Sequence, residues 1–370
     1  MTEISADRIC EITRKLCLIP GLSGHEERVS AALRTELEEI GLDCESDVLG
    51  NLSATIEGSG DAPSALLFAH IDQLGGIVRK IEPDGRILFD RLGGLPEKAL
   101  PAQRVVVTTE FGRDILGFIA SKAHHATAAE EKYTVLPCRD LFIDAGFESS
   151  AEAEQAGIRV GCPVVYMPWC ERMGANRLAG TSIDDRAGCA VVLEVARVLA
   201  KKKIRPTVHV VFSVQEEFNL RGVLPAALRL CPNAAIQVDL ILATDTPDMS
   251  ERGDVRLGGG PALSMYSFHG RGTLNGVIPH PGLVRLMEKS ASAAGAPIQR
   301  SAHIGALTDL SYIQFQGKGV ACIDVGFPMR YSHSAAELCD LRDLAGLAEV
   351  LAHALEHIRE SDLERRPGNV

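Results

Sequence analysis

The amino-acid sequence predicts an α/β protein: a mixed central sheet flanked by helices, interrupted by a small β-barrel. Three observations predict it. Apolar runs of strand length alternate with helically periodic segments at both ends of the chain. Between residues 74 and 169 the texture changes to short alternating runs broken by Gly, Asp and Pro, as in a small barrel or sandwich. The apolar runs outside that stretch end in His, Asp or Glu. The organisation that follows is a discontinuous catalytic α/β domain over 1–73 and 170–370, with a β-rich domain inserted at 74–169.

Element by element, the opening MTEISADRICEITRKL reads as an amphipathic helix. It has neither the continuous apolar core nor the cleavage site of a signal peptide. Ser23-Gly-His-Glu26 has the form of a capping box, opening a helix with Val29, Leu33, Leu37 and Ile40 at helical spacing. A strand ends near Ile56, a Gly/Asp/Pro turn follows, and the run 64–69 is a second strand. In the insertion, GGIVRKI, GRILFDR, QRVVVTT, DILGFIA, KYTVLPC and CPVVYM read as short strands, with helical periodicity only at 151–156. Beyond it come a helix over 185–200, closed by the Lys201–Arg205 cluster where cations suit the dipole, and strands over 208–214 and 240–244. A helix follows His280-Pro-Gly282, a strand covers 320–325, and a last helix begins near Asp340.

Composition narrows the function. The 370 residues are 46% hydrophobic and 24% charged, ordinary for a globular chain. A net charge of -11 and the lack of a basic patch argue against nucleic acid as the partner. No apolar run approaches membrane-spanning length. The ten cysteines are scattered, without a C-x-x-C pair, which fits a reduced, cytoplasmic setting.

The polar ends of the strands carry the chemistry. The run 64–69 leads into His70 and Asp72; 208–214 into Glu216 and Glu217; 238–244 into Asp245; 320–325 through a short link to His333. Asp184 and Asp185 stand at the mouth of a helix. Singly, each has a dull explanation as a turn former or helix cap. Together they would converge on the carboxyl edge of a sheet, where α/β proteins bind ligands. Imidazoles mixed with carboxylates suit zinc, cobalt or manganese better than calcium. The carboxylates are too many for one tetrahedral ion, and suit two divalent ions sharing a bridging carboxylate. One of the adjacent Glu216 and Glu217 would then bind metal while the other serves as general base. Asp72 is placed to accept the second N–H of His70. A competing pattern, His353-Ala-Leu-Glu-His357, matches H-x-x-E-H but sits in a leucine stripe of a terminal helix, with only Glu360 and Glu364, on or just beyond that helix, as further ligands downstream. Gly258-Gly-Gly-Pro261 lacks the strand and helix context of a nucleotide loop.

The segments AHIDQLGG, TSIDDRAG, VQEEFNLRG, LATDTPD, GGGPAL and MRYSHSAAEL, in this order and spacing, resemble the tetrahedral (TET) family of cocatalytic dinuclear metallo-aminopeptidases. That family includes glutamyl and deblocking aminopeptidases and relatives labelled FrvX or endoglucanase M. The likeness runs from Gly21 to the final helix and includes LGGLPEKALPAQRVVV and DLFIDAGFES in the insertion. It implies a zinc-exopeptidase-like fold, with one metal on His70 and Asp245, the other on Glu217 and His333, and Asp184 bridging both. It implies Glu216 as the base acting on water, a cis peptide between Asp184 and Asp185, and short peptides as substrates. It further implies that the insertion acts as a lid and builds a hollow homo-oligomer, commonly a dodecamer. Two positions depart from the family pattern: Gln73, where the family usually has an acidic residue, and the segment 305–310, which lies near the expected substrate pocket and bears on specificity. Arg221, Arg330, His280 and Thr308 are candidate pocket contacts. The rival readings are a dinuclear carboxypeptidase or N-acyl-amino-acid deacylase, which needs a cationic clamp for the substrate carboxylate, and a non-catalytic metal-binding scaffold. A glucanase needs paired carboxylates but not metal-ligand residues.

Overall fold

Strands that are mostly apolar on both faces belong in the middle of a sheet covered on both sides, and the structure, a computed structural model describing residues 3–269 and 276–365, places them there. Helices α1 (Ala6–Cys17) and α2 (Glu27–Glu39) precede β1 (Cys44–Ser46), β2 (Leu52–Ile56) and β3 (Ala65–His70). Next come β4 (Gly75–Ile81), β5 (Ile87–Leu92), β6 (Arg104–Thr108), β7 (Asp114–Ile119), β8 (Ile143–Asp144), α3 (Ser150–Gln155) and β9 (Pro163–Tyr166). The chain continues through β10 (Cys170–Met173), β11 (Arg177–Gly180), α4 (Ile183–Leu199), β12 (Val208–Ser213), α5 (Leu224–Leu230) and β13 (Ala234–Leu242). It finishes with β14 (Ala262–Phe268), β15 (Gly276–Val277), α6 (Pro281–Ala294), β16 (Gln299–Ile304), α7 (Leu310–Ile313), β17 (Ala321–Arg330), β18 (Glu337–Asp340) and α8 (Leu341–His357).

The expected mixed sheet with an inserted barrel is what the chain forms. Among the described residues twelve strands make one sheet, with the order β1-β2-β12-β3-β13-β17-β18-β11-β10 along its main path. Its centre, β12-β3-β13-β17, is parallel, and the flanking pairs along that path are antiparallel. One face packs on α1, α4, α6 and α8 around Leu67, Val191, Val195, Val210, Ile236, Leu347 and Leu351. The other is covered by α5 and α7 around Leu66, Phe68, Val211, Ala235, Ala227 and Leu310. Strands β4-β5-β8-β7-β6-β9 close into a barrel filled by Val78, Ile87, Phe89, Val105, Val107, Ile143 and Val164. The barrel strands lie between Gly75 and Tyr166, and the chain rejoins the large sheet at Cys170.

Several local expectations change. Ser23 does not cap α2, whose first flanking residue is Glu26 and which has no side-chain cap; the Ser23 hydroxyl donates instead to Asp72 at 2.6 Å. Strand β13 starts at Ala234, six residues before the expected Leu240, because its small apolar residues pair on both sides, with β3 and β17. Strand β17 continues to Arg330, beyond the expected end at 325. KYTVLPC forms no strand: Glu131–Tyr133 is a short 3-10 turn between β7 and β8. The change in β13 moves a site residue. Among the described residues no helix is long and apolar enough to cross a membrane.

Candidate active site

Four parallel strands carry their carboxyl ends to one edge, and the register decides which side chains meet there. Val211, Phe68, Gln237 and Asp324 lie side by side across β12, β3, β13 and β17. Two residues further on, on the same face, stand Ser213 and His70; continuing the β3–β13 register sets Asp239 beside His70. Opposite Asp239 on β17 is Gly326, where a Cβ would come within 1.9 Å of the Asp239 carbonyl oxygen, so only glycine permits that approach.

Asp184 sits between two imidazoles. Its Oδ1 is 3.1 Å from His70 Nε2 and its Oδ2 3.5 Å from His333 Nε2. Both rings are held the same way round. His70 Nδ1 faces the Asp72 main-chain carbonyl at 3.2 Å and its carboxylate at 3.5 Å. His333 Nδ1 faces the Gly94 carbonyl at 3.2 Å, a contact supplied by the loop after β5 of the barrel. Carbonyl acceptors on Nδ1 place a hydrogen there, so Nε2 is the nitrogen that each ring turns to Asp184: protonated it donates to the carboxylate, and neutral it offers a lone pair to a cation. Glu217 Oε1 lies 3.8 Å from His333 Nε2, and Glu216 Oε2 lies 4.0 Å from His70 Nε2. Ligand atoms of His70, Asp184 and Glu217 fall within 4.8 Å of one another, a spacing that one cation can span. The His333 side chain is 36% exposed, against 1% for His70, so the cleft opens on the His333 side.

The frame around these groups explains how two glutamates share a sheltered edge. Asp72 accepts the Glu216 N–H on one carboxylate oxygen and the Glu217 N–H on the other, both at 3.0 Å, as well as the Ser23 hydroxyl. That fixes the turn and sends the two glutamate side chains to different places. Glu337, 2% exposed, accepts the Asp184 N–H at 3.1 Å and the His333 N–H at 2.9 Å, tying two distant segments together. Ser182, Gln215, Tyr331 and His333 adopt positive φ, a concentration of uncommon backbone around one cleft. The Asp184–Asp185 peptide is cis.

The electrostatics are those of crowded anions. Burial, reinforced by Glu217, Asp239 and Asp309 and opposed by His70, pushes the Glu216 carboxyl well above its ordinary range. Burial and the Asp184 charge do the same to Glu217 and Glu337 and push Asp239 up to about 8. Burial works against a charged His70, but its hydrogen bonds to Asp184 and Asp72 and the charge of Glu216 win and hold its pKa well above normal. A pocket in which acids resist ionising and an imidazole resists losing its proton is short of positive charge.

The expected residues divide. His70, Asp72, Asp184, Glu216, Glu217 and His333 are brought together. Asp245 is not in that cluster: both its oxygens are taken by the Arg330 guanidinium at 2.7 Å, and one also accepts the Leu257 N–H. Arg330, in turn, holds Asp245 below the usual carboxylate range even though partial burial opposes it. Asp239 occupies the position beside His70. The displacement follows from the length of β13, which runs past the end of β3, so the residue level with His70 lies inside the strand. A single acid within AAIQVDLIL, a run apolar but for it and Gln237, was the available signal. The candidate pocket residues also have structural partners: Arg221 stacks over Phe218 and bonds Gln215, His280 caps α6, and Thr308 donates to Asp324. His353 and His357 stack on each other on α8, with His353 bonded to Ser290.

Imidazoles and carboxylates gathered at the carboxyl edge of a mixed sheet, beside an inserted barrel, define a peptidase of the metal-dependent α/β class. More narrowly, residues 50–350 match the M42 glutamyl aminopeptidase family, and the chain belongs to it; it is a peptide hydrolase. It is 35% identical over 333 residues to SgcX of Escherichia coli (strain K12), covering 89% of this chain and 88% of that protein. The aminopeptidase APDkam598 from the archaeon Desulfurococcus kamchatkensis superposes with a TM-score of 0.90 at 31% identity, covering 99% of each chain. The TET1 peptidase of Pyrococcus horikoshii, described as assembling into a tetrahedron or a large octahedral shell, superposes with a TM-score of 0.83 at 28% identity, covering 94% of this chain and 99% of that one.

Proposed function

We propose that the protein is a dinuclear metal-dependent aminopeptidase that removes N-terminal residues from short peptides. The observation that carries this is Asp184, which turns one carboxylate oxygen to each of two imidazoles whose Nδ1 atoms are already engaged by main-chain carbonyls. In this reading Asp184 would be shared by two ions, His70 and Asp239 would complete one position, and Glu217 and His333 the other. Asp239 thus replaces Asp245 in the ligand set. The mixed nitrogen and oxygen donors fit zinc or cobalt, with manganese also accommodated. When bound, such ions polarise the scissile carbonyl and make water acidic enough to serve as a nucleophile. Glu216 is then the general base: with its Oε2 4.0 Å from His70 Nε2 it stands at the edge of the cluster, where it would take a proton from water and return it to the leaving amine. Asp72 orients both His70 and the Glu216–Glu217 turn.

The segment 74–169 forms, in this reading, an inserted domain with two roles. Gly94 orients His333 at the cleft, and the exposed Phe111, Leu116 and Phe118 of the barrel suit contacts between copies in a homo-oligomer. The experiment is metal analysis of stripped and reloaded protein, combined with a library of free and N-blocked short peptides. Two equivalents of divalent ion and release of the first residue from free peptides are expected. Asp239→Asn should lose one equivalent and Asp245→Asn should keep both; the opposite pattern would return Asp245 to the site. Cleavage of blocked amino acids alone would make the protein a deacylase.

A further inference from the structure

We infer that Gln237 is a positioning residue for Asp239, and that it sets the affinity of one of the two metal positions without touching the ion. The inference rests on the ligand set proposed above. Gln237 is fully buried in the interior of β13, where an amide is costly unless its donors and acceptor are used. Its Oε1 accepts the Leu310 N–H at 3.3 Å, at the first residue of α7. An N–H can only face the oxygen of an amide, so this contact settles which end is which. The NH2 group is thereby aimed along the strand at Asp239 Oδ2, 3.3 Å away. Residues two apart on a strand share a face, which is why Gln237 can reach Asp239. Asp239 Oδ1 accepts the Leu240 N–H at 2.6 Å, so both carboxylate oxygens are held and the rotamer is fixed before any ion arrives. The other end of the tether is also fastened: Asp324, directly across from Gln237 on β17, accepts the Thr308 hydroxyl at 2.7 Å. The segment 308–310 and the Asp239 carboxylate are therefore oriented through one side chain.

Two substitutions separate the contacts. Gln237→Glu keeps an oxygen for the Leu310 N–H but turns an acceptor toward Asp239; Gln237→Met keeps the length and removes both bonds. Metal-stripped full-length protein is titrated with cobalt, following heat and the visible absorption of the ion, with far-ultraviolet circular dichroism and melting temperature as checks of the fold. The wild type should bind two equivalents. In each folded variant one equivalent should weaken about 10- to 100-fold, the range for groups that orient a metal ligand, and only that ion's absorption should change. Folded variants binding both equivalents with wild-type affinity and spectra would overturn the role of Gln237. A wild type that binds fewer than two equivalents, or an Asp239→Asn protein that still binds two, would overturn the ligand set beneath it, and the inference with it.

Discussion

Glu216→Gln should push activity and stability in opposite directions. Glutamine has the shape of glutamate, keeps the main-chain N–H that Asp72 holds at 3.0 Å, and cannot accept the proton. Losing a general base costs about 10²–10⁴ in rate, or about 3–5 kcal/mol of barrier. The same change relieves the metal-free protein. Glu216 is 6% exposed, and burial, Glu217, Asp239 and Asp309 raise its pKa. A carboxyl whose pKa is raised by folding lowers stability at any pH above that pKa, by about 1.4 kcal/mol for each tenfold weakening of the acid. The penalty is absent below the unfolded value, near 4.5, and grows as pH rises toward and through the folded value. Removing it should stabilise the stripped protein at pH 8 by roughly 1–3 kcal/mol. For 370 residues that is a melting temperature higher by about 1–4 °C. The assays are turnover of a free N-terminal peptide by reloaded enzyme, and calorimetry of stripped enzyme at pH 5 and pH 8. The stabilisation should shrink at pH 5. Turnover within tenfold of wild type would refute Glu216 as the base. A lower melting temperature at pH 8 would refute the charge-crowding argument.

Two further outcomes follow from single contacts. A Cβ at Gly94 would stand 2.7 Å from His333 Nδ1, so Gly94→Ala should tilt the ring and lower kcat about 10- to 100-fold with an unchanged melting temperature; wild-type turnover would show that the barrel does not orient the histidine. Glu194, 1% exposed on α4, accepts from the Ser5 N–H, Arg8 and Arg197. Burial opposes its ionisation, but the two arginines and the Ser5 N–H hold its pKa down, from 4.5 to about 2. Such a depressed carboxylate adds about 3 kcal/mol that is fully present above pH 4.5 and lost as pH falls toward 2. Glu194→Gln should therefore lower stability in denaturant titration at pH 7 and narrow its gap to wild type in acid; equal stability at pH 7 would place the tie between α1 and α4 among the neutral surface pairs.

The sequence by itself determined the fold class and the types of residue at the strand ends, because burial on two faces, alternation and helical spacing are local patterns that survive without coordinates. It also brought out His70, Asp184, Glu216, Glu217 and His333 as candidates, since strand ends and an acid pair next to an apolar run are visible in one dimension. The tertiary structure decided what depends on register between distant strands. Asp245 follows the end of its apolar run, yet an arginine 85 residues away takes its carboxylate. Asp239 lies mid-run, yet β3 stops level with it. Ser23 and Glu26 have the spacing of a helix cap but turn to Asp72 and to the Gln215 N–H. Which oxygen meets which donor is fixed by pairing across the sheet, and no count along the chain contains that pairing.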